Sequence, residues 1–272
     1  MMIKDKNKSL SFSLLTFAYN EEKLLKKQIE IWIEGLKKYS NDFEIILIND
    51  GSTDKTGIIA NDLSKRHSEL KVFHHKRNMG IGYAVKTAIQ QAMKNIVFWN
   101  DIDSHFNIYD IGKIIPMLLD KETDIVVAFK HDNLKTKSKI SWFKSRVNYY
   151  LIKTLFFPLF FDHSPILDFQ FVQFYPRDFL LQGITIKSYS SFIPAECLIK
   201  ARLLKLSIRQ IQLHYHSREL HGHAKSGVNY KTILKSIQNI FHFWFEWFCF
   251  GGKKRAKIHW DMSSKGILPW QK

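Results

Sequence analysis

A chain of 272 residues with 45% hydrophobic content can bury a large core, enough for one large α/β domain plus an appendage, so a disordered chain is not expected. Two cysteines, Cys197 and Cys249, without a CxxC spacing exclude a disulfide-built scaffold and fit a reducing compartment. With 41 basic against 25 acidic residues the formal charge is +16, which favours anionic partners such as nucleotide phosphates, nucleic acid or an acidic membrane surface.

The charged stretch from Met1 to Leu10 lacks the apolar centre of a signal peptide, and no uninterrupted apolar segment reaches spanning length. A cytoplasmic location is therefore expected. Ser11 to Ala18 is an apolar strand candidate, and Asn20 is placed as the N-cap of a following helix with Glu21 and Glu22 in its first turn. Leu24, Leu25, Ile29, Ile33 and Leu36 recur at helical spacing, so that helix lies on a sheet. Phe43 to Ile48 predicts a second buried strand that ends in Asn49-Asp50-Gly51-Ser52-Thr53-Asp54, followed by a helix to about Ser68. Lys71 to His75 reads as a third strand, and the loop Asn78-Met79-Gly80-Ile81-Gly82 leads into a helix running through Lys94.

Ile96 to Trp99 is short, apolar and β-branched or aromatic, the mark of a buried strand, and the chain then turns abruptly acidic at Asp101-Ile102-Asp103. In an extended chain residues two apart point the same way, so Asp101 and Asp103 can share one hard cation, with His105 next in the alternation. Magnesium or manganese is the expected ion, because it takes a few carboxylates and completes its shell with water and substrate phosphates. The order β-α-β-α-β-α-β, with strands lacking polar alternation, predicts an α/β fold with a mostly parallel sheet covered on both faces. Ligands of such sheets bind beyond the carboxyl ends of the strands, which gathers Tyr19 to Glu21, Asp50 to Asp54 and Asp101 to Asp103 at one edge. A dinucleotide-binding domain is disfavoured, since Tyr19-Asn20-Glu21-Glu22 after the first strand offers no glycines for a pyrophosphate.

Further on, Ile108 to Leu119 suggests a helix, Asp124 to Lys130 a strand, Asp168 to Tyr175 a strand, Pro194 to Leu204 a helix and Ile208 to His216 a last strand. Trp142 to Phe161 is long and aromatic but interrupted by Arg146, Lys153 and Pro158, which suits it to lie against a bilayer and not to span one. The run Ile240 to Phe250, followed by Gly-Gly-Lys-Lys-Arg-Ala-Lys257, joins aromatic rings to a basic cluster and predicts interfacial binding to anionic lipid. A plain amphipathic helix closing the core is the competing reading of that run. The histidines at 214, 216, 221 and 223 have no cysteine or carboxylate set beside them, so a zinc site is disfavoured. No RNA-recognition, zinc-finger or helix-turn-helix signature accompanies the basic charge, so nucleic acid is not an expected partner.

Tyr19-Asn20-Glu21, Asn49-Asp50-Gly51-Ser52-Thr53-Asp54, Asn78-x-Gly80-x-Gly82 and Asp101-x-Asp103 occur in an order and after strands that resemble the inverting family 2 glycosyltransferases of the GT-A fold. Within them the chain looks like the polyprenyl-phosphate sugar synthases, such as dolichyl-phosphate mannose synthase. The resemblance implies a Rossmann-like GT-A domain over residues 1–228 and a membrane-associating segment over residues 229–272, peripheral on the cytoplasmic face. It implies transfer of a sugar from a GDP- or UDP-sugar to polyprenyl phosphate or another lipid phosphate. Transfer to a saccharide hydroxyl in cell-surface polysaccharide synthesis, or idle nucleotide-sugar binding, are the alternatives.

By the same resemblance Phe17, Tyr19, Glu21, Asp50, Gly80, Asp101, Ile102, Gln170 and Lys225 line the sugar nucleotide, with Asp50 bonding the base. Asp101, Asp103 and His105 hold the ion, although His105 stands where relatives use glutamine. Asp103, Lys130, Glu196 and Arg218 are the candidate catalytic residues. Lys130 takes the place of an arginine and acts as a point charge on phosphate. Arg218 to Lys225 resembles an Arg-rich loop that closes on phosphates. Asp168-x-Gln170 resembles part of a sugar-pocket motif, but Val172-Gln173-Phe174 follows where Gly-Phe and a basic residue are expected. Glu196 is the first candidate for a general base if the acceptor is a hydroxyl.

Overall fold

In the computed structural model, residues 10–103, 106–130, 150, 154–155, 166–213 and 230–249 are described. They build seven strands and six α-helices in the order β1 (Phe12–Ala18), α1 (Leu25–Lys37), β2 (Phe43–Asn49), α2 (Thr56–Arg66), β3 (Leu70–His74), α3 (Ile81–Gln91), β4 (Ile96–Trp99), α4 (Ile111–Leu118), β5 (Ile125–Lys130), β6 (Gln173–Pro176), α5 (Ile193–Leu203), β7 (Ile208–Leu213) and α6 (Tyr230–Cys249). A 3-10 turn, Ile108–Asp110, precedes α4, and a π-helical turn, Phe179–Gly183, follows β6.

The strands form one sheet in the order β3-β2-β1-β4-β6-β5-β7. Every pairing is parallel except those of β6, which runs antiparallel to β4 and β5. Continuous apolar runs such as Phe43–Asn49 are what a strand covered on both faces requires, and all seven of its residues are buried. The alternation sorts side chains to two cores. Leu14, Ile45, Leu47 and Phe98 meet α1, α2 and α4 through Leu25, Trp32, Ala60 and Ile111 on one face. Leu15, Ile46, Ile48, Val97 and Trp99 meet α3, α5 and α6 through Ala88, Leu198, Ile240 and Phe243 on the other. The expected α/β architecture with a mostly parallel sheet is the observed one.

Some expectations are corrected. Asn20 does not cap α1: it adopts a left-handed φ of 57°, its side chain reaches across to the next loop, and α1 starts only at Leu25 with no side-chain cap. Expected strand 168–175 contracts to Gln173–Pro176, because the Asp168 carboxylate accepts the Gln170 and Phe171 N–H groups at 2.8 and 3.1 Å and folds a turn there. The α3 helix stops at Gln91, three residues early. Trp142 to Phe161 falls almost wholly outside the described residues, as do the histidines from 214 to 223 and the basic cluster after Phe250. Among the described residues no helix is long and apolar enough to cross a membrane.

Candidate active site

Because β1, β2, β3, β4 and β5 are parallel, the loops that leave them emerge at one edge of the sheet. The β1–α1 and β2–α2 loops are bonded to each other along their length. Asn20 Oδ1 accepts the Thr53 N–H (2.9 Å), the Asn20 N–H donates to Ser52 Oγ (3.0 Å), and the Glu21 N–H donates to Thr56 Oγ1 (2.8 Å). Glu22 Oε2 accepts from Lys55 N–H, while Asp54 accepts the Thr56 and Glu22 N–H groups. Burial pushes the Asp54 carboxyl up, but those donors outweigh it and hold the group below its usual range. Tyr19 stands exposed at the head of this pair of loops, Phe17 is half-buried beneath it, and Glu21 is half-buried.

Asp50, at the tip of β2, is only 5% exposed. Its Oδ1 accepts from the Met79 N–H (3.0 Å) and from His75 Nδ1 (2.6 Å), and its Oδ2 accepts the Gly80 N–H (2.7 Å). A carboxylate is acceptor-only, so Nδ1 carries the proton and the His75 ring is steadied by Thr87 Oγ1 at its other nitrogen, 3.0 Å away. Asp50 thus folds the loop over the sheet edge as well as bordering it. Gly51, at φ 69°, lies under that loop, where a Cβ would sit 2.2 Å from the Arg77 carbonyl carbon; Gly80, at φ 89°, opens α3.

The acidic stretch lies one strand over from β1. Asn100 still pairs with β1 through its N–H on Leu15 O (3.0 Å), after which the chain turns instead of continuing as a strand. The shared orientation expected from alternation is therefore replaced by a turn, pinned by Ile102, which is buried in the core beside Phe98 and Phe106. Asp101 on one side of that pin is exposed and Asp103 on the other is half-buried. Two surface carboxylates held this way suit a hard divalent cation by the chemistry of their oxygens. Among the described residues no group of three or more potential ligands converges, and His105 lies outside them. Among the described residues the buried Asn100 Nδ2 has no acceptor, a donor left over beside the acidic turn.

Lys130 ends β5 at the same edge, half-buried, its ammonium 5.2 Å from the centre of the Phe171 ring. Gln170 is exposed just before β6, whose reversed direction brings its entry to this edge too. Arg218 and Lys225 lie outside the described residues.

Glu196 is placed differently from the open base that sequence suggests. It is fully buried on α5, and its oxygens accept the Lys187 N–H (2.8 Å), the Ser188 N–H (2.9 Å) and the Lys200 ammonium, itself 2% exposed. Lys200 also donates to Thr185 O. A carboxylate so occupied shapes the segment before α5; it is not open to a substrate proton. His75, Gly82 and this Glu196–Lys200 pair are the residues whose roles sequence reasoning missed. Gly82 carries a signal in retrospect: a Cβ there would lie 2.1 Å from the Tyr189 carbonyl carbon, so it is the smallness of this residue that admits the segment before α5.

Comparison with known proteins agrees with this geometry. The model of the Glycosyl transferase family 2 matches residues 13–172. A dolichyl-phosphate beta-glucosyltransferase of Trichomonas vaginalis is 31% identical over 136 residues, covering 47% of this chain and 42% of that one, so the chain spans less than half the length of that relative. A dodecaprenyl-phosphate galacturonate synthase of Rhizobium johnstonii is 26% identical over 243 residues, 87% of this chain and 68% of its own. Glucosyl-3-phosphoglycerate synthase of Mycobacterium tuberculosis, solved with Mn2+, UDP and phosphoglyceric acid, superposes with a TM-score of 0.60 at 18% identity over 85% of this chain and 78% of that one, which is a likeness of fold. Since the matched span is more than half of the chain and takes in β1 through the entry to β6, with the loops that leave β1, β2, β3 and β4, the chain belongs to the family 2 glycosyltransferases.

Proposed function

We propose that this glycosyltransferase moves a sugar from a nucleoside diphosphate sugar to a lipid phosphate such as polyprenyl phosphate, with inversion at the anomeric carbon. The observation that carries the reading is the single sheet edge at which the β1, β2 and β4 loops meet, with the Asp101–Asp103 turn at its centre. Two relatives named for polyprenyl-type phosphate acceptors support the acceptor class. The bound UDP of the structural neighbour favours a uridine donor without excluding GDP in this chain.

Asp101 and Asp103 are the residues that would hold Mg2+ or Mn2+, which when bound neutralises charge developing on a departing diphosphate. Tyr19, with Glu21 and Phe17 near it, borders the place for the base and ribose, and the Asp50-held loop at Gly80 closes its side. Lys130 adds a point charge on the β5 side.

The buried state of Glu196 bears on the acceptor. A phosphate attacks as an anion and needs to be positioned more than deprotonated, whereas a sugar hydroxyl needs a base. With Glu196 occupied by three donors, the lipid-phosphate reading is favoured over the saccharide-hydroxyl one. The membrane-associating role of residues 229–272 is part of this proposal.

The test is transfer from labelled UDP- and GDP-sugars to polyprenyl phosphate with Mn2+, with the product's anomeric configuration read by NMR. Asp103→Asn is expected to reduce transfer by at least ~100-fold, since several kcal/mol of charge stabilisation reside in a bound ion. A fully active Asp103→Asn enzyme, or a product with retained configuration, would overturn the assignment. Donor binding without transfer to any acceptor would instead indicate an idle binding module.

A further inference from the structure

The segment between the π-helical turn and α5 is held from three directions. Gly82 lets it lie directly on α3, where the Tyr83 and Tyr189 rings pack at 4.5 Å with a 38° tilt. Lys86 sets its ammonium 3.3 Å above the Tyr189 ring and donates to Lys187 O (3.4 Å). Glu196 holds the Lys187 and Ser188 N–H groups from within, and Asn239 of α6 donates to Ser190 Oγ (2.9 Å). A segment fixed this firmly nevertheless turns apolar side chains outward: Tyr189 is 54% exposed and Tyr83 41%, with Met79 and Ile81 exposed beside the start of α3.

The two stretches that carry these residues are charged with one sign, and the carboxylates that bind them from within, Asp50 and Glu196, are buried. No acidic residue occurs between Glu69 and Asp101 or between Asp178 and Glu196, while Lys76, Arg77, Lys86 and Lys187 do. Lys76, Arg77 and Lys187 are exposed. On α6, tied to the same segment, Leu234, Phe241 and Phe245 also face outward. Tyr189 is not an open platform for stacking a base or sugar, because Lys86 already covers its face and Tyr83 leans against it. What remains presented is a ring edge with its hydroxyl, flanked by aliphatic tips and ammonium groups. That combination suits the headgroup layer of a bilayer, where an amphipathic ring has an apolar and a wet neighbour at once and clustered cations meet anionic lipid.

We propose that Met79, Ile81, Tyr83 and Tyr189, with Arg77 and Lys187, form a docking surface on the folded domain for an anionic lipid bilayer, separate from the tail beyond Phe250. The surface borders the same sheet edge as Asp50, which holds Gly80, so docking brings the cleft to the bilayer. It requires only a bilayer and stands whether or not the sugar acceptor is a lipid phosphate.

The experiment is sedimentation of the full chain with vesicles of phosphatidylcholine alone and with phosphatidylglycerol added, for the unaltered protein and for Tyr83→Ser/Tyr189→Ser. The double variant is expected to bind the anionic vesicles at least tenfold more weakly, with its fold intact by circular dichroism. Arg77→Glu with Lys187→Glu changes only exposed side chains and gives a second reading; at about fivefold per charge near an anionic surface, it too should weaken binding more than tenfold. Undiminished vesicle binding in the charge variant, or in the tyrosine variant with its fold intact, overturns the proposal, as does an unaltered chain that ignores anionic vesicles. Transfer to a short, water-soluble isoprenyl phosphate separates this outcome from the acceptor assignment, since it needs no bilayer and should persist in both variants.

Discussion

At the residue scale, the acidic side chains divide by what surrounds them. Asp101 and Asp103 reach the surface, whereas Asp50 and Glu196 are held by backbone donors and give shape to the segments they bind. Glu196→Ala leaves the Lys200 ammonium buried without its carboxylate and should cost about 3–5 kcal/mol in urea unfolding. Glu196→Leu combined with Lys200→Met should cost much less, because removing both charges avoids the buried orphan. Equal losses in the two variants would mean that the pair's charge is not what matters. Gly82→Ala places a methyl against the Tyr189 backbone and is expected to loosen the segment before α5, read as faster amide exchange at residues 186–190. The thiols differ in the same way. Burial, reinforced by the neighbouring Glu196 charge, pushes the Cys197 thiol far up, while Cys249 is exposed; a thiol reagent should modify Cys249 alone until the protein unfolds. The acids at strand tips were legible in sequence because an apolar run ending in Asp is a local pattern. The partners of Asp50 and Glu196 were not, because the loops that bind them are brought in by the fold.

At the scale of elements, β1 to β4 and their helices could be read directly, since strands covered on both faces are unbroken apolar runs and helices show their own period. β6 could not, because four residues carry no sign of direction and the turn held by Asp168 removed the start of the expected strand. Near the amino ends of β1, β2 and β3, Glu44 bonds the Ser13 hydroxyl, Lys71 and the Met93 N–H. Burial raises its carboxyl, but Lys71, Ser13 and Met93 outweigh this and hold it below its ordinary 4.5. A depressed folded-state pKa means stability that is present above pH 4.5 and is lost as pH falls through the lower folded value. Glu44→Gln should flatten that acid limb in chemical denaturation at a series of pH values; an unchanged limb would reassign it to other carboxylates. α6 gives a second element-scale prediction. Ile240 and Phe243 join the core, Phe243 packing edge-on to Phe192 at 5.7 Å, so the helix is seated on the domain at its middle while Phe241 and Phe245 face out. Phe243→Ala should lower stability by about 3–5 kcal/mol, whereas an independent tail would leave the melting temperature unaltered.

At the scale of the whole molecule, the parallel strands place all the candidate site residues described here except Glu196 at or beside one edge, and the edge was inferable from the order of elements alone. A core on each face of the sheet was inferable too; which helices share a face, and the interior position of Glu196, were not. The order β3-β2-β1-β4-β6-β5-β7 means that β4 and β5 never touch each other as neighbours in the sheet; β6, which comes more than forty residues after β5, is wedged between them. During synthesis the first four strands are therefore made with the β4 flank still unpaired, and β5 has no strand to join it to the sheet until the ribosome has passed residue 176. A polypeptide stopped after Val172, where the family match ends, carries the loops of Asp50, Asp101 and Asp103 yet lacks the wedge, and it should emerge as an aggregating species even though those loops are complete.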